Sequence, residues 1–173
     1  MFKKNQNIST KVNLMGKNHS DELYSPSSIL DIIQPYIKQD MTIYECAVGT
    51  GKIKEYFEKK SYKVISTDDF FNDNTNNFDI IITNPYSLKD KFLEKCYQLQ
   101  KPFALLLPIT ALEGQKRQHL YRKYGLQILF PNKRTDFNGK GNVWFYTAWF
   151  TYKLNLPRIL NFITNNNKGK KNE

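Results

Sequence analysis

Asn84, Pro85 and Tyr86 follow directly on Ile80-Ile81-Ile82-Thr83. Those four β-branched residues read as a short strand buried on both faces. Proline cannot continue a strand ladder, so the amide of Asn84 and the ring of Tyr86 are expected at the strand's carboxyl end. In open α/β sheets ligands bind at that edge. An amide, a rigid turn and an aromatic face together suit a planar base that carries an exocyclic amine.

A second set of residues fits a nucleotide-like ligand. Thr42 to Ala47 reads as a buried strand ending in Glu45, and Val48-Gly49-Thr50-Gly51 leads into a helix from Lys52 to Lys60. Strand, Gly-x-Gly turn and helix let a backbone approach a ligand closely. A lone GxG is weak, and it gains weight here from its flanks and from Glu45. Tyr62 to Thr67 reads as the next strand, ending at Asp68-Asp69. Asp68 lies 23 residues after Glu45, close to the spacing of about 20 at which a carboxylate meets ribose hydroxyls in dinucleotide folds. Taken alone, Asp68 reads equally well as a turn residue. Phe70 and Phe71 offer an apolar wall for an adenine ring.

A third candidate is the loop from Asn132 to Asn142, between strands expected at 125–131 and 143–152. A basic, Gly-bearing loop of this length is often functional. Lys133, Arg134 and Lys140 can hold phosphates, and Phe137 can stack on a base. A plain surface loop is the competing reading. The aromatic run Trp144 to Tyr152 reads as core on one face.

The elements that must position these residues come in alternation. Ile29, Ile32, Ile33, Tyr36 and Ile37 make one apolar face of a helix over 27–39, with Ser25 as its N-cap and Pro26 in its first turn. Phe92, Leu93, Cys96, Tyr97 and Leu99 mark an inward face over 88–99. Residues 102–109 read as a buried strand. Thr110 is placed to cap a helix over 111–124, whose Lys116, Arg117, Arg122 and Lys123 read as a solvated face. A short last helix is expected within 154–163. Residues 1–20 read as a flexible basic arm, 21–163 as a single domain and 164–173 as a disordered tail.

With 173 residues and 40% hydrophobic content, the chain can build one domain with a sizeable core. Its 26 basic residues against 16 acidic ones leave a net charge of +10, which favours an anionic partner, most simply nucleic acid, over a merely solvated basic surface. Cys46 and Cys96 stand apart without CxxC or histidine companions, so neither a disulfide framework nor a metal site is expected, and a cytoplasmic setting fits. Neither a signal peptide nor a long apolar span is evident, so no membrane partner is expected.

In this order (Tyr24-Ser25-Pro26, the strand with Glu45 and its GxG turn, the strand ending at Asp68, then Asn-Pro-aromatic) the chain resembles the class I S-adenosylmethionine-dependent amino-methyltransferases, specifically the N6-adenine branch. The stretch from Asp79 through Trp149 looks like small adenine methyltransferase-like proteins of phages and mobile elements, and the resemblance spans roughly residues 21–152. It implies an α/β, Rossmann-like sheet, mostly parallel with an antiparallel C-terminal hairpin and helices on both faces. It also implies S-adenosylmethionine as cofactor. Tyr24 and Pro26 would then lie near its methionine part. Glu45, Ala47, Gly49 and Gly51 would wrap its ribose and amino-acid portion, Asp68 would hold its ribose hydroxyls, and Asp69 and Phe70 would flank its adenine.

The family's catalytic signature carries two prolines before the aromatic residue, and this chain carries one. Only 11 residues separate Thr67 from Asp79, so the family's third strand must be much reduced. The implied chemistry is methyl transfer to the N6 amine of adenine, with Asn84, Pro85 and Tyr86 as the catalytic corner. DNA is favoured over RNA as substrate. A catalytically impaired nucleic-acid-binding subunit is the alternative. The chain has no room for a separate target-recognition domain, which suggests weak sequence specificity or a protein partner that supplies it.

Overall fold

A computed structural model describes residues 25–85, 89–137 and 145–163. The expected arm at 1–20, the tail at 164–173, Tyr24, Tyr86 and Lys140 lie outside these residues. Seven strands form one sheet: β1 (Thr42–Glu45), β2 (Lys63–Ser66), β3 (Ile80–Thr83), β4 (Phe103–Pro108), β5 (Gln127–Phe130), β6 (Thr147–Tyr152) and β7 (Leu160–Phe162). Their order is β2-β1-β3-β4-β6-β5-β7. β2, β1, β3 and β4 run parallel, β6 is antiparallel to both β4 and β5, and β7 is parallel to β5. This is a Rossmann-like sheet with the antiparallel hairpin that the resemblance implies.

Helices α1 (Ser27–Ile33), α2 (Lys52–Lys59), α3 (Lys89–Gln98) and α4 (Gln115–Tyr124) cover the sheet. Every residue of β3 and β6 is buried; β3 reads as a continuous run for that reason, and β6 serves the core on both faces rather than on the one expected. Alternation decides which face each side chain serves. Ile80 and Ile82 join Ile29, Ile33, Ile53, Phe57 and Trp149 in one cluster, while Ile81 joins Tyr44, Phe92, Tyr97, Phe103 and Phe150 in the other. Across the first cluster the Trp149 indole donates to the Ile29 carbonyl at 2.9 Å, fixing α1 against the sheet.

Several expectations are corrected. The helix over 27–39 ends at Ile33 and continues only as a 3-10 turn, Gln34–Tyr36. Pro35 is the reason: it has no N–H for the helical ladder, and its ring disfavours a helical residue before it. Ser25 is not the N-cap; Pro26 is, in an extended conformation without a side-chain cap bond. The helix over 111–124 breaks at Gly114, whose φ of +91 cannot sit in a helix. Ile109–Leu112 forms a separate 3-10 turn, and Thr110 lies within it rather than capping a helix. The last segment is strand β7, not a helix. Its three residues alternate about the sheet beside β5, where Phe162 faces Phe130 in register. Between β2 and β3 the chain makes no strand, so β2 is a sheet edge among the described residues. No described helix is long and apolar enough to cross a membrane.

Candidate active site

The chain leaves β1 for β2 on one side, and β3 lies on the other. That reversal makes the carboxyl ends of β1 and β3 a topological switch point, the place where open α/β sheets bind ligands. The Gly-x-Gly turn, Asp68 and Asn84 all follow strands that end on this edge.

The loop after β1 is fixed from beneath. Glu45 is 1% exposed. Its Oε2 accepts the Lys54 backbone N–H at 2.8 Å, one of the first-turn donors that a helix leaves without an internal partner. Loss of water pushes the Glu45 carboxyl up to about 8; the Lys54 amide pulls the other way, and the Asp68 carboxylate adds to the rise. Glu45 is therefore a positioning residue that ties the end of β1 to α2. Between these two anchors Gly51 N–H donates to the Val48 carbonyl at 2.8 Å. Gly49 and Gly51 sit at φ +51 and +74, where side-chain-bearing residues are strained. A Cβ at Gly49 would meet nothing within 4 Å, so open space lies beside this turn.

The residues after β2 differ in exposure and in partners. Asp68 is exposed at the strand end. Asp69 shapes the turn: both its carboxylate oxygens accept from the Asn72 side-chain amide at 3.0 Å. Phe70 is not a ligand wall. It is 1% exposed, its ring stacks on Phe92 at 5.0 Å, and Lys95 Nζ lies 4.7 Å from its centroid. Phe71 is the half-buried ring of the pair, edge-on to Phe92.

At the end of β3, Asn84 Nδ2 donates to Ser25 Oγ at 3.2 Å. Ser25 is buried at the entrance to α1, so α1 and β3 converge on this amide, and Pro26 sits next to it in sequence. The Asn84 amide also carries Oδ1, which can act as an acceptor. Pro85 is buried. Thr83 Oγ1, one residue before, is a fully buried hydroxyl without a hydrogen-bond partner. Sequence reasoning misses Ser25 as a site residue. Its signal is present, a polar residue between Tyr24 and Pro26, but a capping role absorbs it.

The 132–142 loop is described as far as Phe137. Lys133 and Arg134 are exposed. Phe137 is 8% exposed, and its ring lies 6.3 Å from that of Phe145. It packs into the α1–α2 side of the core, so its expected role in stacking on a base is corrected to a structural one. Thr147 Oγ1 bonds Thr135 Oγ1 at 3.0 Å and holds the loop's first half down. A cavity of about 400 Å³ opens between α3 and α4, lined by Asp90, Glu94, Lys116, Arg117 and His119. An Arg117–Asp90 ion pair sits in its wall. Its charged lining is ill suited to a neutral purine.

No protein-family model matches the chain, and no curated protein matches it. Solved structures do. A protein of Listeria monocytogenes assigned to the class I S-adenosylmethionine-dependent methyltransferases aligns with a TM-score of 0.52 at 11% identity, over 83% of this chain and 66% of that one. This chain thus spans just under two thirds of that protein's length. Precorrin-6y C5,15-methyltransferase of Geobacter metallireducens aligns at 0.49 and 9% identity, over 76% and 90% of the two chains. A dimethyladenosine transferase of Plasmodium falciparum aligns at 0.47 and 13% identity, over 75% and 62%. The fold is that of the class I methyltransferases, as the Listeria structure shows.

Proposed function

We propose that this protein is an S-adenosylmethionine-dependent methyltransferase acting on the N6 amine of adenine in DNA. The observation that carries this reading is the Asn84 amide, hydrogen-bonded to Ser25 just past the carboxyl end of β3, the strand next to the one that the Gly-x-Gly turn follows. The cofactor fits the residues present. Two left-handed glycines make a backbone cradle with open space beside it, and the exposed Asp68 carboxylate stands one strand over, where ribose hydroxyls would be met. Ala47, Gly49 and Gly51 would line the cofactor, Glu45 would hold their loop in shape, and Pro26 would border its methionine end. When bound, S-adenosylmethionine supplies an electrophilic methyl group.

The protein's own contribution is orientation and acceptor placement. Adenine N6 is a weak nucleophile because its lone pair is delocalised into the ring. Asn84 Oδ1 accepts one N6 hydrogen and a backbone carbonyl near Pro85 accepts the other, which favours a tetrahedral nitrogen with its lone pair directed outward. Tyr86, next in the sequence, would be the ring that stacks on the base, an interaction worth about 1–3 kcal/mol. The target base must be flipped out or single-stranded to enter. The buried, unbridged Cys46 and Cys96 fit a reducing, cytoplasmic setting.

One observation favours a second reading. The single proline in Asn84-Pro85-Tyr86 shortens the corner, which suits a binding subunit that has lost turnover and works with a catalytic partner. Transfer of labelled methyl from S-adenosylmethionine to unmethylated DNA and RNA, followed by nucleoside analysis, separates these readings. N6-methyladenine in DNA is the expected product. The same product only in RNA would move the substrate. Cofactor binding without incorporation would select the impaired subunit.

A further inference from the structure

Strand β7 gives the sheet an unusual outer edge. Of the five large hydrophobic residues exposed among the described ones, three are Ile159 at 71%, Leu160 at 48% and Phe162 at 69%. Exposed apolar side chains scattered singly need no explanation, but three within the four residues 159–162 do. Phe162 is also the outer member of a row. Its ring stacks on Phe130 of β5 at 4.7 Å and 11°, and Phe130 lies 6.3 Å from Tyr146, just before β6. Tyr146 is anchored by its hydroxyl, which donates to the Pro131 carbonyl, and its own carbonyl accepts the Ile109 N–H at 2.9 Å, where the chain leaves β4.

These rings occupy the same sheet edge as the candidate active site. β5 and β7 run in the direction of β3 and β4, so Phe130 and Phe162 lie at carboxyl ends, and β6 begins where they finish. From Asn84 the row is reached by crossing β4, β6 and β5. With strands spaced about 4.8 Å apart, the four steps from β3 to β7 cover about 19 Å. Lys133 and Arg134, exposed, follow Phe130 by three and four residues. In the sequence Lys168, Lys170 and Lys171 follow β7.

We propose that Tyr146, Phe130 and Phe162 form a docking ledge for single-stranded nucleic acid, engaging nucleotides that flank the base held at Asn84. Stacking rings flanked by cations are the general means of binding single strands with little sequence preference. Charge selects this occupant over a second copy of the chain: the net charge is +10, so two copies meeting at this edge would bring like charges together. The ledge's alignment with Asn84 rests on the methyltransferase reading, whereas its affinity for single strands does not.

The test is fluorescence anisotropy of the full chain with a labelled single-stranded oligonucleotide and with its duplex. Phe162→Ala is expected to weaken single-strand binding about tenfold, the contribution of one stacked base, without altering the salt slope. Phe162→Trp should restore it. Lys133→Ala with Arg134→Ala should instead flatten the slope of log K against log salt, by about 0.7 for each phosphate that is no longer neutralised. Single-strand affinity unchanged in Phe162→Ala would overturn the ledge. So would equal weakening on duplex and single strand, or a self-association, seen by sedimentation, that Phe162→Ala abolishes while nucleic-acid binding stays intact. Titration with S-adenosylhomocysteine keeps the two proposals apart. If only the ledge is wrong, that binding persists. If only the methyltransferase reading is wrong, either this binding is absent or it persists without methyl transfer to nucleic acid, while the Phe162 effect remains in both cases.

Discussion

The side-chain amide of Asn84 donates to Ser25 Oγ at 3.2 Å, joining residues 59 apart in the chain. This bond connects the end of β3 to the start of α1 and restrains the Asn84 side chain. An unfixed Asn84 would rotate between donor and acceptor presentations, and only the acceptor helps an amine act as nucleophile.

Ser25→Ala removes that restraint without touching the cofactor cradle. A neutral hydrogen bond contributes about 0.5–1.5 kcal/mol, which converts to a fall in kcat of roughly 2- to 12-fold. Steady-state methyl-transfer kinetics should show this fall with S-adenosylhomocysteine affinity unchanged. A loss of cofactor affinity instead would place Ser25 in the cofactor site.

Asp68→Ala should do the opposite. Hydrogen bonds to a charged group contribute about 1.5–3 kcal/mol, so calorimetry with S-adenosylhomocysteine should find binding weaker by roughly 10- to 150-fold. An unchanged dissociation constant would remove Asp68 from the site.

Glu45 makes a pH prediction. Burial raises its folded pKa to about 8, above the unfolded value near 4.3. Between these values the folded state holds a proton that the unfolded chain has released. Its contribution to stability is therefore full below about pH 4.3 and lost as pH rises through about 8, at no more than about 1.4 kcal/mol per pH unit. Glu45→Gln keeps an acceptor for the Lys54 N–H and does not titrate. Thermal melts at pH 5 and pH 8 should show the variant gaining on the native protein at the higher pH. A difference in Tm that is the same at both would contradict the buried, proton-holding role.

The sheet is legible in the sequence because its strands carry their signals locally. Ile80–Thr83 and Phe103–Pro108 are apolar runs with a proline at or beyond the end, and the Gly49–Gly51 turn announces itself by composition. What escapes is tertiary. The apolar spacing from Ile29 to Ile37 is helical, yet Pro35 breaks it. The stretch before Ile163 has too few residues for a period to be read, and pairing with β5 makes it a strand. Phe70 and Phe137 read as ligand-facing because aromatic side chains near strand ends suit both ligand walls and core. Only packing against Phe92 in one case and the α1–α2 cluster in the other decides. Ser25 illustrates the same limit, since its partner lies on another element and no local pattern points to it.

The central claim is that Asn84 acts on the target amine and not on the cofactor. The most direct measurement compares native protein with Asn84→Ala in two assays: labelled methyl transfer to unmethylated DNA and calorimetric binding of S-adenosylhomocysteine. The predicted result is abolished formation of N6-methyladenine with cofactor affinity nearly unchanged. Methyl transfer that survives in Asn84→Ala would contradict that claim.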